Sequence, residues 1–204
     1  ASHEMMTPLA VINSKLDNLV QDENMSEEQF EQLQDIYNAS DKLSRLNQSL
    51  LLLVKIDNNP INDAEEINLK TVIEDKLNQF QEIISAKQLG VSDFIQNQLL
   101  TANPYLIDIL INNLLTNALR HNYNGGQLRL ESGANRLIIS NTSLAESLDP
   151  SHIFERFQKS QTSEGLGLGL TIARNICDNY GYKLTYEFVH PFHRFIINFK
   201  AYQV

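Results

Sequence analysis

The sequence is poor in cysteine and in basic residues. Cys177 is the single cysteine among 204 residues, so no disulfide can form within the chain and a reducing compartment is expected. Lysine and arginine number 16 against 25 aspartates and glutamates, which gives a formal net charge of −9. Because nucleic-acid-binding faces are basic, this balance argues against nucleic acid as a partner. With 42% hydrophobic residues, the chain still has enough apolar material for a packed core.

Long apolar runs are missing as well. The longest extends from Leu50 to Val54, whereas a membrane-spanning helix needs about 20 apolar residues. No signal peptide, internal repeat or low-complexity tract is visible. These absences predict a cytoplasmic chain. Residue 1 falls inside what looks like a motif, so we expect the chain to be truncated at its N-terminus, and a membrane-bound region could precede it.

Apolar spacing predicts two long helices at the start of the chain. Between Thr7 and Val20, apolar residues recur at every third or fourth position, which is helical spacing. Ser26 and Gln29 then have the spacing of a capping box, and a second apolar stripe follows to about Asp57. Two such helices cannot bury both stripes alone, but two copies of the pair can form a four-helix bundle. A homodimer is therefore expected.

The character of the sequence changes after residues 57–60, which read Asp-Asn-Asn-Pro and break a helix. We predict a helical domain at residues 1–58, a linker at 59–66 and a second domain at 67–204. In the second domain, helices and strands mix without regular βαβ repetition, which is typical of an α+β sandwich. The expected helices cover residues 72–84, 104–121 and 168–180, and the expected strands cover 67–69, 91–95, 99–101, 127–131, 137–141, 183–189 and 195–200.

A histidine with an acidic neighbour stands at the start of the first helix. A neutral imidazole nitrogen can attack phosphorus when a neighbour takes or balances the proton on its other nitrogen, and Glu4 is suited to this role beside His3. Pro8 removes a backbone donor and loosens the helix close to the histidine. Taken alone, an ordinary surface histidine near a chain end is the better interpretation.

Two asparagines lie four residues apart in the predicted helix at 104–121. Asn113 and Asn117 therefore share one face of the helix, among apolar neighbours. Asparagine suits a buried helix face only where its amide has a partner. An amide oxygen is a suitable ligand for a Mg²⁺ ion that also carries phosphates. The alternative is a helix with solvent-facing amides, which the apolar neighbours make the weaker interpretation.

Alternate glycines, Gly165, Gly167 and Gly169, stand at the start of the predicted helix at 168–180, the first two before it and the third in its first turn. Glycines at the start of a helix let backbone N–H groups approach phosphates. No strand precedes them in the way that a dinucleotide-binding Rossmann motif requires, so that fold is not expected. Arg156 and Lys159 could contact a γ-phosphate, and the alternative is a solvated loop.

In order and spacing, these motifs resemble those of the sensor histidine kinases of bacterial two-component systems, over essentially the whole chain. Residues 2–9 resemble the family's H box, and residues 113–122 resemble its N box. Residues 154–157 resemble the F box, and residues 165–169 the second glycine box. The resemblance implies a helical hairpin that dimerises into a four-helix bundle. It also implies a following α/β sandwich of the type found in histidine kinases, gyrase and chaperone ATPases.

The resemblance also implies what the motifs do. His3 would accept a phosphoryl group from ATP and pass it to an aspartate in the receiver domain of a response regulator, with Glu4 as the acid or base. Thr7 stands where such kinases orient water to dephosphorylate the regulator, and Asn117 would bind Mg²⁺. The other nucleotide-binding residues that the resemblance implies are Asn113, Arg120, His121, Asn141, Arg156, Lys159, Gly165, Gly167 and Gly169. By this resemblance, the chain is the cytoplasmic part of an inner-membrane sensor protein.

Three positions depart from the family pattern. Asn141 stands where an adenine-binding aspartate is usual, Ser143 where a glycine is usual, and Met6 where a basic residue is usual. The Asn141 amide could accept from adenine through its oxygen, or turn and donate. Asn141→Asp is therefore expected to tighten ATP binding by up to about tenfold, unless desolvation cancels the gain. Two alternatives stay open: a pseudokinase or phosphatase-biased signalling module with weak ATP turnover, and a clamp-driving ATPase of the same superfamily.

Two further features carry no expected function. His190 and His193 are three residues apart in strand-like sequence around Pro191 and lack a third ligand, so a metal site is not expected there. Cys177 lies in an apolar helical stripe and is expected in the core.

Overall fold

The computed structural model describes residues 2–21, 25–58, 63–133, 135–144, 147–156 and 166–199. Contacts within the chain divide it into two compact units, residues 1–55 and residues 56–204. The predicted linker includes residues 59–62, which lie outside the described residues. None of the helices within the described ranges is both long enough and apolar enough to cross a membrane.

The first unit contains a helical hairpin of α1 (Ser2–Val20) and all but the last residues of α2 (Glu27–Asn58), as the apolar spacing predicts. The predicted capping box is present at the start of α2. The Ser26 N–H donates to Gln29 Oε1 over 2.9 Å, and the Gln29 N–H donates to Ser26 Oγ over 3.2 Å. Both donors are N–H groups that the first turn of a helix cannot pair internally, so the box explains why α2 begins here.

Only part of the apolar surface of the hairpin is buried within one chain. Leu9, Leu16 and Leu33 are buried. Ser40 lies in the same buried stripe, and its Oγ donates to Asn13 Oδ1 across the two helices over 2.5 Å. The large apolar side chains that remain exposed include Val11, Ile12, Leu19, Phe30, Ile36, Tyr37 and Leu43.

The second unit combines helices and strands. Its described elements are β1 (Glu65–Asn68), α3 (Leu69–Gln79), α4 (Gln81–Ala86), β2 (Gly90–Phe94), β3 (Leu99–Ala102), α5 (Pro104–Arg120), β4 (Gln127–Gly133), β5 (Arg136–Thr142), α6 (Gly169–Asn179), β6 (Lys183–Val189) and β7 (Phe192–Asn198). Five strands form one sheet in the order β2-β4-β5-β7-β6. In this sheet β2 and β4 run parallel, and the other neighbours run antiparallel. Strands β1 and β3 form a separate antiparallel pair.

The core of this unit lies between the five-stranded sheet and helices α5 and α6, which pack against each other and against β5 and β6. Leu137 and Ile139 of the central strand β5 are fully buried, as are Leu128 and Leu130 of the adjacent β4. Alternate residues of a strand point to one face of the sheet, so these side chains form one apolar layer. The predicted α/β sandwich that follows a helical hairpin is confirmed.

Most element bounds differ from the prediction by one or two residues, and two predicted elements differ by more. The single helix expected at 72–84 is two helices, α3 and α4, which meet at Phe80, where φ is −93° and ψ is 5°. Apolar spacing continues in phase across Phe80, so the pattern could not show the break. The strand expected at 195–200 begins earlier, at Phe192, because its pairing with β6 already starts at Val189.

Candidate functional site

Helix α5 carries the predicted pair of asparagines and has a well-defined start. Asn103 Oδ1 accepts the Leu106 N–H over 3.2 Å, and Pro104 takes the first position, where the helix needs no N–H. Asn113 and Asn117 are both half-buried. Because residues four apart are neighbours on a helix surface, α5 presents the two amides side by side.

Asn113 lies against the start of α6. Its Nδ2 donates to Ile109 O over 3.0 Å, which fixes the amide. Its Oδ1 faces Gly169, because a Cβ added to that glycine would lie only 2.9 Å from the oxygen. A larger residue at position 169 would therefore displace the amide. The structure thus brings the N box and the end of the glycine motif together, as the resemblance implies.

The start of α6 is suited to bind an anion. Gly167 precedes it with a φ of +70°, a left-handed conformation that favours glycine. The N-cap residue, Leu168, provides no side-chain cap for the first N–H groups of the helix. Such N–H groups and the positive end of the helix dipole attract phosphate. Gly165, the remaining glycine of the motif, lies outside the described residues.

The turn that carries Phe154 is held to the first turns of α6. Thr171 Oγ1 donates to Phe154 O over 3.1 Å. The guanidinium of Arg174 lies 5.3 Å from the centre of the Phe154 ring, which is within cation–π range. Arg156, two residues after this anchored carbonyl, is exposed. Lys159 lies outside the described residues.

Asn141 is a buried amide near the end of β5. It is 1% exposed and lies between Leu128 of β4 and His193 of β7 in the sheet register. Its Nδ2 donates to Thr142 O over 3.0 Å. Its Oδ1 accepts no hydrogen bond within the part of the chain that the structure describes. Because a buried acceptor without a donor costs about 1–3 kcal/mol, this oxygen is suited to a donor on a bound ligand.

His121 lies at the C-terminal end of α5, where its N–H donates to Asn117 O over 3.1 Å. The pKa of His121 is lowered, first by partial removal of the ring from water and then by Arg120, His193 and Lys87. The lowered pKa favours the neutral form of the ring, which can donate or accept a hydrogen bond but brings no positive charge to a phosphate.

The predicted phosphoacceptor pair falls in α1. His3 and Glu4 belong to this helix, and their side chains lie outside the described part of the chain. Thr7, one turn further along, is exposed. The roles assigned to these three residues stay predictions.

Two residues without an expected function have distinct surroundings. Cys177 is buried, and burial raises the pKa of its thiol to about 12, so it packs as expected and is not a reactive thiolate. His193 is buried beside Asn141, and its Nδ1 lies 2.8 Å from the hydroxyl of Tyr186. Sequence spacing could not reveal this position, because β5 and β7 become neighbours only in the folded sheet.

Two family models match the chain. Residues 1–59 match the His Kinase A (phospho-acceptor) domain, and residues 102–200 match the histidine kinase-, DNA gyrase B- and HSP90-like ATPase. The chain belongs to the histidine kinases. The resemblance seen in the motifs is confirmed. The N-box, F-box and second glycine-box residues and Asn141 all fall within the matched ATPase-type domain.

Curated relatives and solved structures agree with this family. The kinase is 31% identical over 182 residues to the heme sensor protein HssS of Staphylococcus epidermidis, a match that covers 86% of this chain and 40% of that protein. The kinase therefore spans less than half the length of this relative. It shares its fold with full-length ShkA in complex with AMPPNP, with a TM-score of 0.73 and 17% identity over 96% of this chain and 43% of that one. It also shares its fold with the histidine kinase AdeS of Acinetobacter baumannii, with a TM-score of 0.65 and 20% identity over 96% and 95% of the two chains. Nothing in these comparisons favours a pseudokinase.

Proposed function

We propose that the kinase binds ATP with Mg²⁺, transfers the γ-phosphoryl group to its own His3 and passes it to an aspartate of a response regulator. The contact between Asn113 and Gly169 carries this proposal, because it joins the two predicted phosphate-binding motifs in one site. The two matched family models support it: an ATPase-type domain would bind the nucleotide, and a phospho-acceptor domain would carry the histidine.

Adenine fits the buried amide of Asn141. The exocyclic amine of adenine is a hydrogen-bond donor. Asn141 Oδ1 is a buried acceptor, and no donor among the described residues bonds to it. A neutral hydrogen bond of this kind contributes about 1 kcal/mol and also relieves the cost of an unsatisfied buried oxygen. Asn141 therefore serves in place of the aspartate that is usual in the family.

The phosphates fit the start of α6 and the adjoining face of α5. The first N–H groups of α6 bind phosphate oxygens after the glycine motif, and Asn113 lies directly beside them. The amide oxygen of Asn117, on the same face of α5, is the proposed Mg²⁺ ligand, and the bound ion offsets the phosphate charge. The cations that balance the charge on the transferred group are Arg120, Arg156 and Lys159.

The chemistry at His3 is an in-line displacement. A neutral ring nitrogen of His3 attacks the γ-phosphorus, the bond to the oxygen that bridges the β- and γ-phosphates breaks, and ADP leaves. Glu4 takes or balances the proton on the other ring nitrogen. In the second step, an aspartate oxygen of the regulator attacks the phosphorus, and the bond to His3 breaks. Thr7 orients water when the kinase dephosphorylates the regulator.

The helical hairpin provides the proposed partner surfaces. Exposed apolar side chains such as Ile12, Ile36 and Leu43 pack against a second copy in a four-helix bundle, and the receiver domain docks on this bundle near His3. The kinase acts in the cytoplasm and meets the membrane only through a sensor region outside this chain. The proposed boundaries are 1–58 for the dimerisation and phosphotransfer domain, 59–66 for the linker and 67–204 for the catalytic domain.

Asn117→Ala tests the nucleotide and metal assignment. Removal of the amide oxygen is expected to weaken Mg²⁺-dependent ATP binding by about tenfold or more, and to leave binding in EDTA unchanged. Calorimetry with and without Mg²⁺ measures both. The matched control is Asn112→Ala, because Asn112 lies on the same helix about 140° around its axis from Asn117. If Asn117→Ala retains the Mg²⁺ dependence of the parent, the assignment of the N box is wrong.

A further inference from the structure

Lys87, at the end of α4, binds the C-terminal end of α5 through its side chain. Its Nζ donates to Leu119 O over 2.8 Å, to Asn122 O over 3.1 Å and to Arg120 O over 3.3 Å. An ammonium group has three N–H donors, so these three carbonyl oxygens engage all of them. The main chain of Lys87 contacts the same region, because Lys87 O accepts the Gly125 N–H over 2.8 Å. The end of α5 and the turn after it are therefore held by one residue of another helix.

The last carbonyl oxygens of α5 need such a partner. A helix leaves its final carbonyls without donors of its own, and a left-handed residue directly after the helix often satisfies them. Within residues 121–125, all of which the structure describes, Gly125 alone has a left-handed φ, of +78°, and it lies too far along the chain to cap α5 in this way. The C-terminal end of a helix also carries a partial negative charge, which a cation stabilises. The Lys87 ammonium supplies both the missing donors and the positive charge.

The turn that Lys87 holds carries a residue that the proposed function places at the phosphates. Arg120 is the last residue of α5 and one of the cations proposed to balance the charge on the transferred group. Its side chain is exposed, and its own carbonyl oxygen is one of the three that Lys87 binds. If the last turn of α5 frayed, the main chain of Arg120 would move and its guanidinium would lose a fixed position. The negative end of the helix would also face the phosphates without the compensating ammonium.

We propose that Lys87 is a positioning residue for phosphate binding: its ammonium keeps the last turn of α5 in place, so that Arg120 presents its guanidinium to the nucleotide. This inference rests on the proposed function, since it concerns the same nucleotide site. Lys87 itself needs no contact with the nucleotide. It acts on Arg120 from a position 33 residues earlier in the chain, through the main chain of the helix end.

Lys87→Met tests the role of the ammonium, because methionine keeps most of the apolar side chain and removes the charge and the N–H donors. Calorimetry on the full chain with Mg²⁺ gives the affinity for ATP. We expect binding about tenfold weaker than in the parent, the factor that loss of a charge-assisted hydrogen bond from a displaced Arg120 would give. The matched control is Lys183→Met, which removes an exposed lysine at the start of β6 and should bind ATP like the parent. Circular dichroism well below the melting temperature shows whether each variant is folded.

A double variant tests whether Lys87 acts through Arg120. Arg120→Ala alone should weaken ATP binding, and in that background Lys87→Met should weaken it further by about twofold or less, because the guanidinium is already absent. A tenfold effect of Lys87→Met in both backgrounds would overturn the inference, since Lys87 would then act by another route. An Arg120→Ala variant that binds ATP like the parent would overturn it as well.

Chemical rescue gives a second, independent test. Lys87→Ala leaves the three carbonyl oxygens without their ammonium, and added ethylammonium supplies a positive charge with three N–H donors. Ethylammonium should restore most of the lost affinity for ATP, whereas tetramethylammonium at the same concentration, which has no N–H donor, should not. Equal effects of the two salts would overturn the inference. Should Lys87→Met not fold, Lys87→Gln takes its place in the comparison, because it keeps two N–H donors without the charge.

The affinity of the folded variants for ATP is the deciding quantity. A purely structural cap would lower the melting temperature of Lys87→Met and leave its affinity for ATP unchanged, and that result would overturn the inference while the proposed function stands. A parent chain that does not bind ATP with Mg²⁺ would overturn both the inference and the proposed function.

Discussion

At the scale of single residues, Asn141 carries a buried amide whose two ends have different surroundings. Its nitrogen donates to Thr142 O, and its oxygen has no donor among the described residues. The sequence suggested that Asn141→Asp would tighten ATP binding. The structure predicts the opposite at neutral and higher pH, because one carboxylate oxygen would then face the Thr142 carbonyl oxygen at about 3 Å without a proton to donate, in a site that is 1% exposed.

Asn141→Asp is therefore expected to weaken ATP binding several-fold at pH 8. The loss should diminish toward pH 6, because a protonated carboxyl can donate to Thr142 O and still accept from adenine. Calorimetry at both pH values, with the parent chain measured in parallel, gives the comparison. Tighter binding than the parent at pH 8 would show that this site accepts a carboxylate, and that the Thr142 carbonyl does not control the orientation at position 141.

Residue positions that depend on local spacing were predictable. Asn113 and Asn117 share a helix face because they are four residues apart, and Gly167 and Gly169 stand at the start of a helix as expected. His193 was set aside, since its place next to Asn141 depends on the register of β5 and β7. The hydrogen bond from Thr142 Oγ1 to Asn122 Oδ1 joins residues twenty positions apart, and sequence spacing carries no signal for such a contact.

At the scale of elements, the predicted helices and strands are largely present because amphipathic spacing and caps determine them locally. The capping box at Ser26 and Gln29 gave the start of α2 correctly. The break between α3 and α4 at Phe80 was missed, because the apolar residues on both sides keep helical phase. Local pattern thus predicts that a helix is present more securely than it predicts where the chain changes direction.

The turn between α5 and β4 depends on Gly126. A Cβ there would lie 2.5 Å from Thr142 Oγ1 and 2.9 Å from Tyr123 O, and closer still to Asn122 Oδ1. Gly126→Ala is therefore expected to destabilise the domain by about 1–3 kcal/mol, because the added methyl group would overpack against the Asn122 and Thr142 side chains. Urea unfolding measures the change in free energy. Gly90→Ala is the control, because a Cβ there makes contacts no closer than 3.8 Å. Equal stability of the two variants would contradict the close packing around Gly126.

At the scale of the whole molecule, the exposed apolar side chains of the hairpin are expected to pack against a second copy of the chain. Ile36 is 52% exposed on α2, and a charge at this position should be unfavourable in an apolar interface. Ile36→Glu is therefore expected to shift the chain from dimer to monomer in sedimentation at micromolar concentration. Gln34→Glu introduces the same group at an exposed position about 200° around the helix and should leave the dimer intact. A dimer that survives Ile36→Glu would place the interface elsewhere.

The fold class followed from the sequence because two amphipathic helices and a mixed α+β segment leave few arrangements. The site itself could be predicted only as separate motifs. Asn113 and Gly169 are far apart in the chain, and their contact arises because α5 and α6 pack together on the sheet. The family resemblance implied that these two motifs both bind the nucleotide. The hydrogen bond from Asn141 Nδ2 to Thr142 O became visible only in the structure.

Incorporation of label from γ-labelled ATP tests the central claim most directly. The parent chain is expected to acquire phosphate that is stable in base and labile in acid, as a phosphohistidine should be. His3→Ala should lose this label and still bind ATP, because His3 lies in the helical domain and the nucleotide motifs lie in the second unit. His190→Ala, which removes an exposed histidine between β6 and β7, should be labelled like the parent. Undiminished labelling of His3→Ala, or no labelling of a parent chain that binds ATP, would contradict the account.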